Sequence, residues 1–341
     1  MEKRDYQMDN IRFFLIFSVV LGHLLEQFSG YYSSMLYRFI YTFHIPVFVF
    51  ITGFFAKFKP KKILLAQIYP YVLFQTLYLV FYARVMTGEG TVTFSYMTPY
   101  WMLWYLLVVI LYNMLIPLLQ WERAAERLLI FACSVGAALL AGYDASIGYY
   151  MALSRFFCFL PFFVAGYFAG HDPGNSPFQH LSPGKKGCLA AVCLVMLLFA
   201  ERFVLLHRGS FPEDVLYGSF SYAERGYTWK HRALLMGIGF AWVLVLRLAA
   251  PDRKLPVISV IGKNTLPIFL FHGFLMHLLE KNQIFNYNQM ENLMLAAGIA
   301  LLIILILGSP MAARIYNWFF TGHWIEDLLV RIEEHGKRKI N

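Results

Sequence analysis

The stretch MDNIRFFLIFSVVLGHLLEQF, residues 8–28, decides the fold class of this chain. It is apolar enough to cross a bilayer, and it has the roughly 20 residues that a spanning helix needs. It nevertheless carries Asp9, Arg12, His23 and Glu26. Ionisable side chains are costly inside a membrane and usually mark a function. The stretch therefore predicts a spanning helix that also carries part of a functional site.

Helical spacing places two of these side chains on one face. Arg12 and His23 are 11 positions apart, which at about 100° per residue is about three full turns, or about 16 Å along the axis. Asp9 precedes Arg12 by one turn and can pair with it, while Glu26 follows His23 and could orient or charge the imidazole. Interfacial anchoring explains the Asp9 and Arg12 pair equally well. For His23 a satisfied core histidine is the weaker alternative, because apolar helices rarely carry a histidine without a partner or a function.

The composition predicts an integral membrane protein. Of 341 residues, 59% are hydrophobic and 14% are charged, and apolar runs of about 20 residues recur along the chain. The net charge of +9 does not indicate a nucleic-acid partner, because the basic residues lie mostly between the apolar runs. Cys133, Cys158, Cys188 and Cys193 lack metal-like spacing and are interpreted as small core residues.

The apolar runs predict an all-α, polytopic membrane protein with about ten transmembrane helices. The predicted spans are 9–28, 37–57, 63–84, 101–120, 126–143, 153–170, 187–206, 230–250, 257–279 and 293–319. Lysine and arginine concentrate on alternate connectors, which predicts that both termini are cytoplasmic. We expect a membrane domain at 1–322 and a basic, amphipathic cytoplasmic tail at 323–341. The long connectors 84–100 and 207–229 could form a lid, although ordinary loops are the simpler interpretation.

Comparing depths on antiparallel helices brings several polar side chains together. His23, His44 and His272 should converge in the outer half of the membrane, with Trp104 and Arg155 near the outside ends of their spans. No span has the paired histidines typical of a metal site, so we expect none, and general acid or base chemistry is favoured. Arg155 fits an interface anchor as well as a contact to an oxyanion.

A second polar group is expected at the cytoplasmic ends of the helices. Arg12 and Asp9 would lie there with Lys57, Lys263 and Asn264. Positive charge at this mouth suits phosphate groups, although the topology alone would also place lysines there. A donor with a phosphorylated head and a long flexible arm would fit. Its head could rest near Arg12 while its reactive end reaches His23.

Five motifs in order along the chain resemble the acyltransferase-3 family of multipass membrane acyltransferases, especially its fucose O-acetylase-related branch. They are Arg12 and His23 preceded by Asp9, FHIPVFVFITGFF (43–55), LWYL (103–106), RFFCFLPFFVAGY (155–167) and IGKNTLPIFLFH (261–272). The resemblance covers roughly residues 5–320. It implies transfer of an acyl group, usually acetyl from cytoplasmic acetyl-CoA, to a carbohydrate hydroxyl, with His23 catalytic and Arg12 at the donor site. Members often carry Ser where this chain has Thr52.

We therefore predict an O-acyltransferase of the plasma membrane, with acyl-CoA as donor substrate, a carbohydrate acceptor and no bound cofactor. The sequence is compatible with a homo-oligomer and does not determine the oligomeric state. The predicted site residues are His23 and Glu26 for catalysis, Arg12, Asp9, Lys57, Lys263 and Asn264 for acyl-CoA, and His44, Trp104, Arg155 and His272 for the acceptor. The alternatives are a polytopic secondary transporter and a non-catalytic partner in glycan export. An intramembrane protease is not indicated, because no GxSG-like nucleophile setting is present.

Overall fold

The computed structural model describes residues 4–88, 90–172, 181–322 and 324, and the regular secondary structure of these residues is helical throughout. Nine of the helices they form are long and apolar enough to cross a membrane. The prediction of an all-α, polytopic membrane protein is confirmed. The orientation of the termini and the domain boundary at residue 322 stay predictions, and the proposed tail lies outside the described residues except for Trp324.

The helices follow one another in the order of the apolar runs of the sequence. Their bounds are α1 Tyr6–Leu25, α2 Tyr31–Phe54, α3 Pro60–Thr87, α4 Trp101–Leu119, α5 Ala124–Tyr143, α6 Tyr150–His171, α7 Pro183–Leu206, α8 Trp229–Ala249, α9 Ile258–Lys263, α10 Thr265–Lys281, α11 Gln289–Leu307 and α12 Pro310–Phe319. The 17 residues of α10 extend about 26 Å at 1.5 Å per residue. Helix α10 is not among the nine candidate spans found in the described part of the chain, which is one fewer than the expected number of about ten.

Two of the predicted spans, 257–279 and 293–319, are interrupted in the structure. The first breaks at Asn264, between α9 and α10. The second ends at Leu307, and α12 begins anew because the Ser309 side chain caps it and Pro310 occupies its first position. The Asn264 side-chain amide donates a 3.0 Å hydrogen bond to the Gly308 carbonyl. This hydrogen bond therefore connects the two helix breaks.

Glycines allow the closest helix contacts of the bundle. A Cβ atom on Gly53 of α2 would lie closer than 3.0 Å to the backbone of α6, and one on Gly166 or Gly170 of α6 would meet the backbone of α2 equally closely. On α9, a Cβ at Gly262 would collide with the backbone of α1 at Asp9. Small residues allow backbones to approach within a membrane, where packing rather than hydrophobicity drives association. These contacts fix α1, α2 and α9, which carry Arg12, His23, His44 and Lys263 of the predicted site.

The bundle has two ends, which we name the basic face and the far face. At the basic face, Arg12 near the start of α1, Lys62 at the start of α3 and Lys263 at the end of α9 line one cavity. The Asn10 side-chain amide ties this face to the connector after α8 by donating to the carbonyls of Pro251 and Arg253, at 2.9 and 3.1 Å. The far face holds the opposite end of α1.

Candidate active site

A cavity of about 750 Å³, within the usual range for small-ligand sites, extends between α1, α2, α4 and α10. Arg12 lines it toward the basic face, and His23 and Glu26 line it toward the far face. Apolar side chains, among them Ile16 and Phe48, form its walls in between. The predicted shared face of Arg12 and His23 is thus confirmed, since both side chains line one continuous space.

His23 lies beside a carboxylate that two tyrosines hold in place. Its Nδ1 atom is 3.5 Å from Glu26 Oε1. The same oxygen accepts hydrogen bonds from the Tyr41 hydroxyl, at 2.7 Å, and the Tyr37 hydroxyl, at 3.1 Å. A carboxylate next to Nδ1 favours the proton on that nitrogen. The arrangement leaves Nε2 of His23 as the atom able to accept a proton.

The other two predicted histidines converge on the same region, each in a fixed tautomer. Nδ1 of His44 is 2.7 Å from the Ile40 carbonyl, and Nδ1 of His272 is 2.9 Å from the Ile268 carbonyl. Because a carbonyl oxygen only accepts, Nδ1 carries the proton in both rings and Nε2 is a bare acceptor. His44 lines the cavity. His272 is fully buried behind His23, with ring centroids 5.4 Å apart.

Arg155 and Trp104 lie together at the far end of the cavity, as predicted. The guanidinium is 4.6 Å from the centroid of the Trp104 ring, within the range of a cation–π contact. Its other aromatic neighbour is Tyr149, at 5.4 Å. Nε of Arg155 donates to the Tyr217 carbonyl at 3.3 Å. These contacts orient the guanidinium group within the cavity wall.

The connector between α7 and α8 contributes Leu216 and Tyr217 to the far end of the cavity. Among the hydrogen bonds that hold it in place, Arg38 donates to the Phe211 carbonyl and Ser154 donates to the Gly218 carbonyl at 2.7 Å. Burial raises the pKa of the Tyr217 phenol to about 12. The phenol therefore stays protonated near neutral pH and can donate to the Tyr37 hydroxyl, 2.5 Å away.

Trp101 is a site residue that sequence reasoning missed. Its φ of +35° is in the left-handed region, which is uncommon for any residue except glycine. Its ring packs edge-on against His23, with centroids 4.6 Å apart. Such strain persists only where the surroundings enforce it, and it clusters at functional sites. Nothing in the sequence indicates this backbone conformation.

Tyr37, Tyr41 and Tyr217 were also missed, although the sequence contained a usable pattern for two of them. Tyr37, Tyr41 and His44 follow at positions i, i+4 and i+7, which places them on one face of α2. Once His44 is assigned to the site, Tyr41 is expected beside it. Tyr217 comes from a connector, and its position depends on packing that no local pattern encodes.

The carboxylate of Asp9 lies near the basic end of the cavity but does not line it. Asp9 is buried and accepts a hydrogen bond from Arg4 at 2.7 Å, while Arg12 lies 3.6 Å from its second oxygen. Arg12 also stacks over the Phe55 ring at 4.6 Å. Lys62 and Lys263 complete the cationic lining. Asp9 therefore positions Arg12 from behind.

Four predicted site residues do not line the cavity. Asp9 and His272 lie directly behind residues that do. Asn264 is engaged with the Gly308 carbonyl, as described above. Lys57 lines a separate cavity of about 360 Å³, which is smaller than the main site but still within the usual range for small ligands. Their roles in binding stay predictions. Along the described ranges, no group of three or more His, Cys, Asp or Glu side chains could hold a metal ion.

Comparisons with known proteins identify the family of the chain. A family model described as an acyltransferase domain matches residues 5–314. The chain is similar to nodulation protein NolL of Sinorhizobium fredii (strain NBRC 101917 / NGR234), with 24% identity over 247 residues. That match covers 62% of this chain and 64% of the relative, so the chain spans less than two thirds of the relative's length. No solved structure matches the chain.

Proposed function

This chain belongs to the acyltransferase-3 family, and from that membership we propose that it moves an acetyl group from acyl-CoA to a hydroxyl group of a carbohydrate. One observation carries the proposal: Arg12 and His23 line the same cavity from opposite ends. An anion-binding end and an imidazole end are what a reaction between a phosphorylated thioester and a neutral hydroxyl requires.

The donor would bind from the basic face. Arg12, Lys62 and Lys263 supply three positive charges at that end of the cavity, and arginine in particular suits phosphate groups. The arm of CoA would follow the apolar wall for the roughly 16 Å that separate Arg12 from His23 along α1. The lysine and arginine bias supports a cytoplasmic location for this face, where we propose that acetyl-CoA is taken up.

The chemistry would centre on His23. Nε2 of His23 accepts the proton of the acceptor hydroxyl while that oxygen attacks the thioester carbonyl carbon. The carbon–sulfur bond then breaks, and the CoA thiolate leaves with the proton that His23 returns. Glu26 stabilises the imidazolium from the Nδ1 side. In the two-step alternative, Nε2 attacks the thioester carbonyl carbon and CoA leaves as the thiolate. The acceptor oxygen then displaces the imidazole from the acyl-histidine, and its proton passes to the freed Nε2.

The acceptor would approach from the far face. His44 presents a bare Nε2 that can accept a hydrogen bond from a second sugar hydroxyl, and Trp104 and Arg155 shape the end of the cavity. We further propose a plasma-membrane location and membership of the fucose O-acetylase-related branch. Both extend the resemblance described for the sequence.

Radiolabelled acetyl-CoA tests the proposal with the full chain in lipid nanodiscs. We expect label to appear on an added glycan, and His23→Ala to abolish transfer while leaving the amount of folded protein unchanged. His207→Ala serves as the matched control, because His207 is exposed and outside the cavity. Label that reaches protein before acceptor is added would identify the acyl-histidine route. Retained transfer in His23→Ala would contradict the assignment.

An assay in reconstituted vesicles distinguishes an enzyme from a transporter. If the chain were a transporter, label would cross the bilayer as intact substrate and no covalent product would form. We expect the opposite result, with acetylated product and free CoA formed in equal amounts.

A further inference from the structure

Arg155 lines the far end of the cavity as a cation without an anionic partner. Among the described residues, no carboxylate lies within 4.0 Å of its guanidinium, and its hydrogen bond to the protein is made by Nε, to the Tyr217 carbonyl. Trp104 packs 4.6 Å from the guanidinium carbon and Tyr149 packs 5.4 Å from it. The two terminal nitrogens, which carry four N–H donors, are therefore oriented but not satisfied by the protein.

Another arginine of the same region shows what a structural role looks like. Arg232 is buried and donates to three protein oxygens: the Ala138 carbonyl at 2.9 Å, the Phe220 carbonyl at 3.1 Å and the Tyr227 hydroxyl at 2.7 Å. Its donors are used to join α8 to the elements around it. Arg155 makes no comparable set of bonds, although it lies in the wall of a cavity that a ligand can enter.

The difference between the hydrogen bonding of Arg155 and that of Arg232 has an electrostatic consequence. A guanidinium held within a membrane protein is costly unless an anion or several oxygens compensate it. Arginine binds a carboxylate or phosphate through two parallel N–H···O bonds, and the planar group is most effective when its orientation is fixed beforehand. Trp104, Tyr149 and the Tyr217 carbonyl provide that fixation. The missing partner should therefore come with the substrate.

We propose that the acceptor carries an oxyanion, and that Arg155 binds this group while His23 faces the hydroxyl to be acylated. The inference rests on the proposed function and specifies its acceptor as an acidic carbohydrate. The shared chemistry is a planar or tetrahedral oxyanion, supplied either by the carboxylate of a sugar acid or by the phosphate of a sugar phosphate. A neutral sugar would leave the guanidinium uncompensated.

Calorimetric titration of the full chain in nanodiscs tests the inference without any need for turnover. The probes are glucuronate, glucose 1-phosphate and glucose. We expect at least one of the two anionic sugars to bind at least tenfold more tightly than glucose, and Arg155→Gln to reduce this preference to less than twofold. Preference for glucuronate alone would identify a carboxylate, and preference for glucose 1-phosphate alone would identify a phosphate.

Arg225→Gln is the matched control, because Arg225 is an exposed arginine on the connector between α7 and α8 and pairs with Asp214 at 3.0 Å. It should bind all three probes as the wild type does. Equal binding of glucose and both anions by the wild type would overturn the inference, as would an anion preference that survives in Arg155→Gln. Acetyl-CoA binding and transfer by the same wild-type preparation test the proposed function separately, so the two failures are distinguishable.

Discussion

The Tyr41 hydroxyl donates a 2.7 Å hydrogen bond to Glu26 Oε1, the oxygen that faces Nδ1 of His23. The hydroxyl itself is 3.5 Å from the same imidazole nitrogen. Tyr41 thus contacts both members of the proposed catalytic pair. It comes from α2, whereas His23 and Glu26 come from α1 and the residue after it, so the pair depends on contact between two helices.

Replacing Tyr41 by Phe tests this dependence. The ring contacts remain, but Glu26 loses one of its two tyrosine hydrogen bonds. A hydrogen bond to a charged group is worth about 1.5–3 kcal/mol, so we expect kcat for acetyl transfer to fall about 10-fold to 100-fold with little change in KM for acetyl-CoA. Steady-state kinetics with labelled acetyl-CoA provide the measurement. Tyr287→Phe, at a ring that is 62% exposed, should behave as wild type, and an unchanged kcat in Tyr41→Phe would remove Tyr41 from the site.

Replacing Arg12 by Ala should weaken donor binding. Arg12 is held in the cavity wall by Asp9 and Phe55, and its loss removes a charge-assisted contact to phosphate. We expect the Kd for acetyl-CoA to rise about tenfold, or about 1.4 kcal/mol. Equilibrium binding of labelled acetyl-CoA measures it. Arg123→Ala is the control, because the Arg123 side chain is 85% exposed, and identical binding curves for Arg12→Ala and wild type would count against the donor site.

The close contact of α2 with α6 predicts a position-specific effect of adding one methyl group. A Cβ on Gly53 would collide with the α6 backbone, whereas a Cβ on Gly298 of α11 would meet nothing within 4 Å. Gly53→Ala should therefore destabilise the protein by about 1–3 kcal/mol. Gly298→Ala should be neutral or slightly stabilising, because alanine favours a helix. Thermal unfolding in detergent compares the two, and equal midpoints would contradict the packing described.

Glu201 is a buried carboxyl group whose two oxygens differ. Oε1 accepts from the Thr42 hydroxyl at 2.6 Å and from the Trp242 indole at 2.8 Å, whereas Oε2 has no partner among the described residues. Glutamine retains the first oxygen and removes any charge. We expect Glu201→Gln to unfold at the wild-type temperature or above it, and Glu201→Ala to lose about 1–3 kcal/mol. If Gln proved as damaging as Ala, the carboxyl group itself would be required.

The sequence predicted the parts of the site that one helix determines. Arg12 and His23 share a face because each residue of a helix turns the chain by a fixed angle. The convergence of His23 and His272 followed from topology, since residues at equal depth on neighbouring spans can meet. Trp101 could not be predicted, because its left-handed backbone reflects the packing around it. Tyr217 belongs to a connector, where no periodicity fixes the position of a side chain.

The interrupted tenth span was predictable and was nevertheless predicted wrongly. Gly308, Ser309 and Pro310 form a clear stop and restart, with a capping serine and a proline at the first helical position. Apolar residues on both sides obscured this boundary in the hydropathy pattern. The break at Asn264 carries no such marker, and the partner of its side chain, Gly308, lies 44 positions away.

The two ends of the cavity are built from different kinds of segment, because the connector between α7 and α8 contributes to the far end. Arg12 belongs to a candidate membrane-spanning helix, whereas Leu216 and Tyr217 come from a segment outside the candidate spans. Substitutions or insertions in that segment can change the shape of the far end of the cavity without displacing Arg12. Exchange of this connector between relatives should therefore change the proposed specificity for the acceptor glycan, while the proposed binding of acyl-CoA stays the same.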